Sequence, residues 1–336
     1  MTLLRPLGMT YRPRPADALP LAGSRAAWWH TALQDGAEWE AAALDPATRA
    51  RLSDLRPAIC GLRLDRPLVM GILNVTPDSF SDGGRHFSLD AAVARARQMA
   101  TEAEIIDIGG ESTRPGSREV PEDEEIARTA PVIRAIRAAG IATPISIDTR
   151  KARVAAAALD AGADMLNDVT AMRFDPDMAL VAADRQVPIC LMHSVADPET
   201  MQQHARYDDV VREVHDHLAG RIDVALSAGI AMANIIADPG IGFGKVKDHN
   251  LALLDDLAAF HGLGVPLLLG VSRKRFIGTI GRAEVAADRM PGSVAVALHG
   301  ATQGVQILRV HDTAETRQAL RLWQALAGDE ESEDGA

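Results

Sequence analysis

Residues 69–84 read Val-Met-Gly-Ile-Leu-Asn-Val-Thr-Pro-Asp-Ser-Phe-Ser-Asp-Gly-Gly, an apolar run that ends at Asn74 and then breaks into a polar loop. Apolar runs of strand length recur along the chain, and most of them end in polar or charged residues. Polar residues lie at or just after seven later runs: Asp107, Asp148, Asn167, His193, Asp238, Ser272 and His311. Polar side chains that converge at strand ends are typical of the active-site face of a (β/α)8 barrel.

The alternation of strand and helix patterns begins at Leu68. It predicts eight strands, mostly continuous apolar runs, as expected for parallel strands buried on both faces. These strands are 68–74, 105–109, 144–148, 165–169, 188–193, 235–238, 266–271 and 306–310. Helical patterns between them include 89–101, 122–139, 151–161, 207–228, 249–261, 274–281, 288–302 and 313–326.

Eight such units match the usual size of a TIM barrel, roughly 250 residues. A doubly wound open sheet is the structural alternative, but it normally has fewer strands and a glycine-rich phosphate loop after the first one. No such loop follows strand one here. The predicted fold class is therefore α/β, a (β/α)8 TIM barrel with an N-terminal extension.

The pattern divides the chain into three parts. Residues 1–65 hold three of the four tryptophans, lack the strand rhythm, and are predicted to be an extension that docks on another surface; its role stays open. Residues 66–327 form the predicted barrel. Residues 328–336 contain five acidic residues and are predicted to be a disordered acidic tail.

Composition excludes several classes of protein. The chain has 336 residues, 47% apolar and 24% charged, as in globular proteins, and its net charge of −11 argues against general nucleic-acid binding. No apolar stretch approaches the roughly 18 residues that a membrane span needs. Cys60 and Cys190 are too few and too far apart for a disulfide framework, which fits a reducing cytoplasm.

Two loops carry residues suited to anions. The loop Gly109-Gly-Glu-Ser-Thr-Arg-Pro-Gly116 leaves its strand at glycines and presents Thr113 and Arg114, a hydroxyl and a fork-shaped cation; an ordinary solvated loop is the alternative. The second loop, Gly270-Val-Ser-Arg-Lys-Arg275, places three cations at a helix start. The helix dipole disfavours each of them there by about 0.3–1 kcal/mol, so a compensating anion is expected.

The first and last strands end in further candidate residues. Asn74 is suited to a hard divalent ion or a phosphate oxygen, although an amide that bonds to its own turn is the simpler reading. Arg309 and His311 lie two apart, so on a regular strand they point the same way and would clamp a diphosphate. A core or capping histidine is the alternative for His311.

Asp148, Asn167 and Asp238 end strands three, four and six. Two carboxylates and an amide at one mouth would match a heterocycle rich in N–H donors, such as a 2-aminopteridin-4-one. Helix caps are the alternative, most credible for Asp148. In Asp238-Pro-Gly-Ile-Gly-Phe-Gly-Lys245 the spacing is not that of a P-loop, and Lys245 is either a donor near the ring or a solvated loop charge.

In their order and spacing these segments resemble dihydropteroate synthases, a family of pterin-binding TIM-barrel enzymes. The resemblance runs from about Leu68 to about Gln324. It is carried by Leu-Asn-Val-Thr-Pro-Asp-Ser-Phe-Ser-Asp-Gly-Gly, Gly-Gly-Glu-Ser-Thr-Arg-Pro-Gly, Ser-Ile-Asp-Thr, Asn-Asp-Val, Asp-Pro-Gly-Ile-Gly-Phe-Gly-Lys, Ser-Arg-Lys and Arg-Val-His-Asp.

The resemblance implies a cytoplasmic, homodimeric transferase that uses Mg²⁺ and is a target of sulfonamides. It would condense 6-hydroxymethyl-7,8-dihydropterin pyrophosphate with p-aminobenzoate to give 7,8-dihydropteroate and pyrophosphate in folate biosynthesis. The implied pterin ligands are Asp148, Asn167, Met192, Asp238, Lys274 and Arg309. The implied pyrophosphate ligands are Asn74, Arg114, Arg309 and His311, with Asn74 also on the metal. The implied p-aminobenzoate ligands are Phe80, Thr113, Arg114, Pro115, Phe243, Ser272 and Lys274.

Loss of pyrophosphate from the dihydropterin CH₂ would leave a delocalised cation, and Asp148 is the carboxylate expected to stabilise it. Lys274 and Arg309 complete the expected catalytic set. Two other functions remain open from the sequence. One is a methyltransferase that passes a methyl group from a folate to a cobalamin protein and shares the Asp/Asn/Asp ring site. The other is an inactive barrel that only binds a pterin or phosphate ligand.

Overall fold

The computed structural model describes residues 3–75, 89–112, 116–196 and 200–329. Its central element is a sheet of eight parallel strands. In chain order these strands are β6 Leu68–Asn74, β7 Ile105–Gly109, β8 Ile145–Asp148, β9 Met165–Asp168, β10 Ile189–Met192, β11 Ile235–Asp238, β12 Leu268–Gly270 and β13 Ile307–Val310. Each predicted strand is present, and its bounds differ from the prediction by two residues or fewer.

The sheet curls into a closed ring. Strands β6 to β11 pair in chain order, β13 pairs with β6, and β12 pairs with β13. A parallel bridge between Ala237 and Leu267 joins β11 to β12 and completes the circle. The (β/α)8 barrel predicted from the sequence is therefore confirmed.

Helices cover the outside of the ring. They are α2 Leu89–Met99, α3 Glu122–Ala138, α4 Ala152–Ala161, α5 Asp177–Arg185, α6 Val210–Ser227, α7 Lys247–Asp255, α8 Arg275–Gly281, α9 Met290–Thr302 and α10 Thr313–Ala327. The predicted helix 249–261 is two pieces, α7 and a 3-10 helix over Leu257–Leu263. The sequence pattern does not predict the short helix α5, which follows Pro176.

Two apolar cores fill the barrel. The larger lies between strands and helices and includes Ile106 and Ile108 of β7. The smaller lies inside the ring at its lower end, where Ile59 and Leu64 pack against inward-facing residues of seven strands: Leu68, Met70, Ile105, Met165, Cys190, Ile236, Leu268 and Ile307. The segment before the first barrel strand thus plugs the end of the barrel opposite the carboxyl ends of the strands.

The N-terminal extension is more ordered than its sequence indicated. Its described residues form five short strands, a 3-10 helix over Ala41–Ala43 and one α-helix: β1 Arg5–Pro6, β2 Leu19–Pro20, β3 Trp28–Trp29, β4 Thr31–Gln34, β5 Ala37–Glu40 and α1 Pro46–Ser53. Trp29 is fully buried in an apolar cluster that includes Ala258 of the barrel. The predicted docking is therefore onto the barrel itself. Strands of two to four residues are too short to leave a detectable period.

The C-terminal boundary lies slightly later than predicted. Gly328 caps α10, and Arg12 of the extension donates to the carbonyl oxygens of Ala327 (3.0 Å) and Gly328. Asp329 is buried and accepts hydrogen bonds from Arg66 at 2.8 and 2.9 Å. The rest of the predicted acidic tail, 330–336, lies outside the described residues. No helix in the described ranges is long and apolar enough to cross a bilayer.

Candidate active site

Polar residues meet at the carboxyl ends of the barrel strands. Strand register places Asn74 opposite Gly109, Gly109 opposite Asp148, and Asp148 opposite Asn167. On the other side of the ring, register places Met192 opposite Asp238 and Gly270 opposite Arg309. The barrel thus brings together Asn74, Asp148, Asn167, Met192, Asp238 and Arg309 at one rim.

The rim surrounds the open end of the barrel, which is its mouth. Arg309 links two acids there. Its Nε lies 2.6 Å from Asp107 Oδ2, and its Nη2 lies 2.6 Å from both Asp107 Oδ2 and Asp148 Oδ2. Asn167 Nδ2 approaches Asp107 Oδ2 at 3.4 Å. The guanidinium therefore pairs with two carboxylates. It does not point outward beside His311 as a second free cation.

Asp148 is a buried acid of the mouth whose pKa is raised. Burial raises its pKa to about 7; Arg309 lowers it, while Asp107 raises it further. Its Oδ1 atom is buried and has no hydrogen-bond partner among the described residues. The helix-cap reading does not hold, because Lys151 occupies the N-cap position of α4. Asp148 thus has one acceptor oxygen that the described residues leave unpaired.

Asp238 and Lys274 form the opposite wall. Burial raises the pKa of Asp238 and lowers that of Lys274 to about 7, while the Asp238 charge raises the Lys274 pKa. The Lys274 ammonium donates to the carbonyl of Ile241 and stands 4.4 Å from the centre of the Phe243 ring. Gly242, at φ +83°, lies so close to Lys274 Cδ that an added Cβ would be 3.0 Å away. The glycines of this loop therefore give Lys274 room beside Phe243.

His311 and Ser272 meet beyond the end of β13. The His311 Nδ1 atom lies 3.0 Å from Ser272 Oγ, which also accepts from the His311 backbone N–H at 3.2 Å. Arg273 pairs with Asp312, Nε to Oδ2 at 3.0 Å, so one of the three expected anion-binding cations already has a protein partner. Asp312 consequently makes no side-chain cap for α10.

Lys245 is not a solvated charge. It is buried, and its Nζ contacts His193 Nδ1 at 2.9 Å, Gly240 O at 2.9 Å and Phe243 O at 3.1 Å. Burial lowers the pKa of His193 to about 2, so this ring is neutral and its Nδ1 accepts from the lysine. Both residues fix the loop after β11.

Four of the candidates, Phe80, Thr113, Arg114 and Pro115, lie outside the described residues. The sequence pattern predicts that Asp107 is a polar residue at a strand end, but it does not indicate what Asp107 does. It has no exposed surface, sits in the middle of an apolar strand, and holds Arg309. A single acid inside a buried apolar run is the sequence signal that indicates such a paired carboxylate, because buried carboxylates are rare unless they are paired.

Comparison with known proteins shows which family the chain resembles. A family model described as pterin binding enzyme matches residues 70–311. Dihydropteroate synthase of Escherichia coli (strain K12) is 46% identical over 265 residues, 79% of this chain and 93% of that protein.

Two solved structures are similar throughout the barrel. Xanthomonas albilineans dihydropteroate synthase with 4-aminobenzoic acid has a TM-score of 0.76 and 48% identity, covering 81% of this chain and 98% of that one. Yersinia pestis dihydropteroate synthase in a sulfonamide drug complex has a TM-score of 0.75 and 44% identity, covering 80% and 98%.

The fold and the mouth define a (β/α)8 protein with an acid-lined ligand site at the carboxyl ends of its strands. The chain belongs to the pterin-binding enzyme family, because the family model and relatives of nearly equal length match most of it. The resemblance stated from the sequence is thereby confirmed.

Proposed function

We propose that the protein condenses 6-hydroxymethyl-7,8-dihydropterin pyrophosphate with p-aminobenzoate, releasing pyrophosphate and 7,8-dihydropteroate as a transferase of folate biosynthesis. One observation carries the assignment to this mouth. Asp148 is buried beside Arg309 with one carboxylate oxygen unpartnered among the described residues, which suits an N–H-rich ring. The relatives are dihydropteroate synthases, which favours this reaction over methyl transfer and over an inactive barrel.

The pterin ring is held by donors and acceptors on its edges. Asp148 and Asp238 accept from ring N–H and amino groups, because both are buried carboxylates at the mouth. Asn167 and Lys274 supply donors to the carbonyl and the ring nitrogens. Met192 packs beside the ring, and the Arg309 guanidinium plane stacks on it. A ring that failed to make one of these hydrogen bonds would leave a buried polar group unpaired. The mouth therefore binds this heterocycle in preference to others.

The chemistry is a substitution at the CH₂ carbon of the dihydropterin. The C–O bond breaks, its electron pair leaves with pyrophosphate, and the positive charge spreads into the ring. Asp107, Asp148 and Asp238 face two cations, Arg309 and Lys274, so the mouth is net negative when all five are ionised. That excess stabilises the cation. The neutral arylamine then attacks the carbon and loses a proton to solvent.

The leaving pyrophosphate lies toward Asn74, His311 and Arg114 in this proposal. A Mg²⁺ ion is part of it, because Mg²⁺ commonly binds through few protein oxygens plus substrate phosphates. Asn74 supplies one amide oxygen at the end of β6. The described residues contain no cluster of three His, Cys, Asp or Glu side chains that would hold a metal by themselves. The ion therefore fits as one that arrives with the diphosphate, whose departing charge it would neutralise.

The p-aminobenzoate site is assigned to Phe80, Thr113, Arg114 and Pro115 together with Phe243, Ser272 and Lys274. Among the described members, Phe243 gives an apolar face next to the Lys274 ammonium, and Ser272 gives a hydroxyl beside His311. An arylamine with a carboxylate at its far end requires an apolar slot that ends in donors, and this set supplies both.

The protein is further proposed to be a cytoplasmic homodimer. Both described cysteines are free, which fits a reducing compartment. Large apolar side chains on or next to α7, α8 and α9 are exposed in the single chain and would be covered by a second copy: Val246, Leu251, Ile280 and Val285. Sedimentation velocity tests the dimer, and a monomer at micromolar concentration would contradict it.

One assay tests the reaction. The protein is mixed with the pterin pyrophosphate, p-aminobenzoate and Mg²⁺, and pyrophosphate release is followed with and without the arylamine. Release that depends on the arylamine is expected, with competition by a sulfonamide. Release without p-aminobenzoate, or no release at all, would contradict the proposed function. Omission of Mg²⁺ with a chelator tests the metal separately and is expected to abolish turnover.

A further inference from the structure

Asp107 is an acid in the interior of the barrel that holds Arg309. It is the third residue of β7 and has no exposed surface. Its neighbours Ile106 and Ile108 pack toward the helices, so the alternation of the strand sends Asp107 to the inside of the ring. A carboxylate buried this deeply requires compensating partners.

The partner of Asp107 is Arg309, 202 residues away in the sequence. Both Nε and Nη2 of the guanidinium lie 2.6 Å from Asp107 Oδ2. Asp148 receives a single contact, from Nη2 at 2.6 Å to Oδ2, and its Oδ1 has no partner among the described residues. Asp107 thus receives two of these guanidinium contacts, and Asp148 receives one.

A guanidinium beside a single carboxylate prefers to bind both of its oxygens with two parallel N–H bonds. If Asp107 did not hold Nε, the fork of Arg309 would be free to close on Asp148 and occupy Oδ1. We propose that Asp107 is a positioning residue that holds Arg309 away from full pairing with Asp148 and so keeps Asp148 available to the pterin. This inference rests on the proposed function, because it concerns the same ring site.

The charges around Asp148 predict how its pKa changes when Asp107 is replaced. The groups that face it are Arg309 on β13, Asp107 on β7, Glu125 on α3 and Asp168 on β9. Burial raises the pKa of Asp148 to about 7, Arg309 opposes the rise, and the three acids add to it. Neutralising Asp107 removes one of these acids and frees Arg309 to approach, so both changes lower the pKa of Asp148.

The experiment compares the full-length protein with the variants Asp107→Asn and Asp107→Ser. Binding of 6-hydroxymethyl-7,8-dihydropterin, measured by calorimetry without substrate turnover, is expected to weaken about 10-fold, the scale of one hydrogen bond. The acid limb of the kcat/KM profile for the pterin substrate is expected to move to lower pH. The KM for p-aminobenzoate is expected to stay the same.

Ser146→Ala is the matched control. Ser146 lies opposite Asp107 in the strand register, is equally buried, and its hydroxyl has no partner among the described residues. This variant changes the interior at the same level without touching Arg309. Its pterin binding and pH profile are expected to match the wild type, so an effect confined to Asp107 does not arise from disturbance of the barrel interior.

The outcomes separate this inference from the function on which it rests. A wild-type protein without arylamine-dependent pyrophosphate release contradicts the proposed function itself. An active wild type whose Asp107 variants keep normal pterin affinity or an unmoved acid limb overturns the positioning role. Failure of both variants to fold, seen as loss of a cooperative thermal transition, also overturns it, because Asp107 would then serve the fold alone.

Discussion

At the scale of single residues, burial determines which acid of the mouth does what. Asp148 and Asp238 both lie at strand ends, and each has an oxygen with a protein partner: Asp238 Oδ1 accepts from the Gly240 N–H at 2.7 Å, and Asp148 Oδ2 accepts from Arg309 at 2.6 Å. Asp148 keeps one oxygen without a described partner, and its pKa is raised to about 7 by burial. A carboxylate that costs energy to ionise is stabilised by a developing cation, so Asp148 is suited to the dihydropterin CH₂ carbon.

Replacement of Asp148 by Asn is expected to lower kcat by about 100-fold, the scale of one preorganised electrostatic group. The amide keeps the shape of the side chain but carries no charge to stabilise the cation. Wild-type kcat/KM is expected to show an acid limb as Asp148 ionises near pH 7, and the variant should lose that limb but keep the alkaline limb of Lys274, whose pKa is also about 7. Steady-state pyrophosphate release between about pH 5 and about pH 9 measures both effects.

Asp160→Asn provides the control for Asp148→Asn. Asp160 lies on α4, after the same strand, and its exposed carboxylate pairs with Arg185 at the surface. Its removal is expected to leave kcat and the pH profile as in the wild type. Equal turnover of the Asp148 variant and the wild type would assign the stabilising charge to another acid.

At the scale of elements, a buried lysine joins the loop after β7 to α3 and α4. Lys151 Nζ lies 2.6 Å from Glu111 Oε2, 2.7 Å from Glu125 Oε2 and 2.7 Å from the Val120 carbonyl oxygen. All three charged side chains are at most 4% exposed. The loop that carries the Ser-Thr-Arg-Pro segment therefore begins at an ionic cluster fixed to two helices.

Lys151→Met is expected to destabilise the protein by about 3–5 kcal/mol, because it leaves the buried Glu125 carboxylate without its cation, whereas Glu111 keeps its pair with Arg150 at 3.0 Å. Urea unfolding monitored by circular dichroism measures the free energy of unfolding. Adding Glu125→Gln should recover part of the loss, since burial already raises the pKa of Glu125 and favours its neutral form. Arg153→Met, which removes ion pairs from an exposed arginine on the same helix, should cost less than about 1 kcal/mol. Equal losses for the two substitutions would contradict the ionic cluster.

The local sequence pattern was sufficient to predict the barrel and most of its rim. A buried parallel strand is a continuous apolar run, and the first polar residue after it marks its end. Asp148, Asn167 and Asp238 were found in this way. Pairs distant in sequence could not be read from such patterns. The Arg309–Asp107 and Arg273–Asp312 pairs join residues 202 and 39 positions apart, and each places a predicted ligand-binding cation against a protein carboxylate.

At the scale of the whole molecule, the extension closes the lower end of the barrel while the opposite end keeps the ligand site. Arg56, at the end of the extension, donates to the His261 carbonyl oxygen at 3.1 Å, and His261 Nε2 lies 2.9 Å from the Gln303 carbonyl oxygen. This seam joins the extension to the segments that follow α7 and α9. A buried imidazole in such a seam makes the stability of the molecule depend on pH.

Burial lowers the pKa of His261 to about 3, and the Arg56 charge lowers it further. The unfolded chain has a histidine pKa of about 6.5. The folded value is therefore the depressed one, so His261 contributes stability that is fully present above about pH 6.5 and is lost as pH falls toward the folded value. At pH 5 the loss is about 2 kcal/mol.

Comparison of wild type with His261→Gln isolates this contribution. Buried acids with raised pKa values, Asp148, Asp168 and Asp238, change stability in the opposite direction as pH falls, and they cancel in the difference between the two proteins. The variant should be less stable than the wild type near pH 8, because it loses a fitted ring. That deficit should shrink by about 2 kcal/mol at pH 5, where the glutamine takes up no proton. Urea unfolding at both pH values measures it, with the exposed His204→Gln as control. A deficit that stays constant with pH would mean that His261 carries its proton in the folded protein.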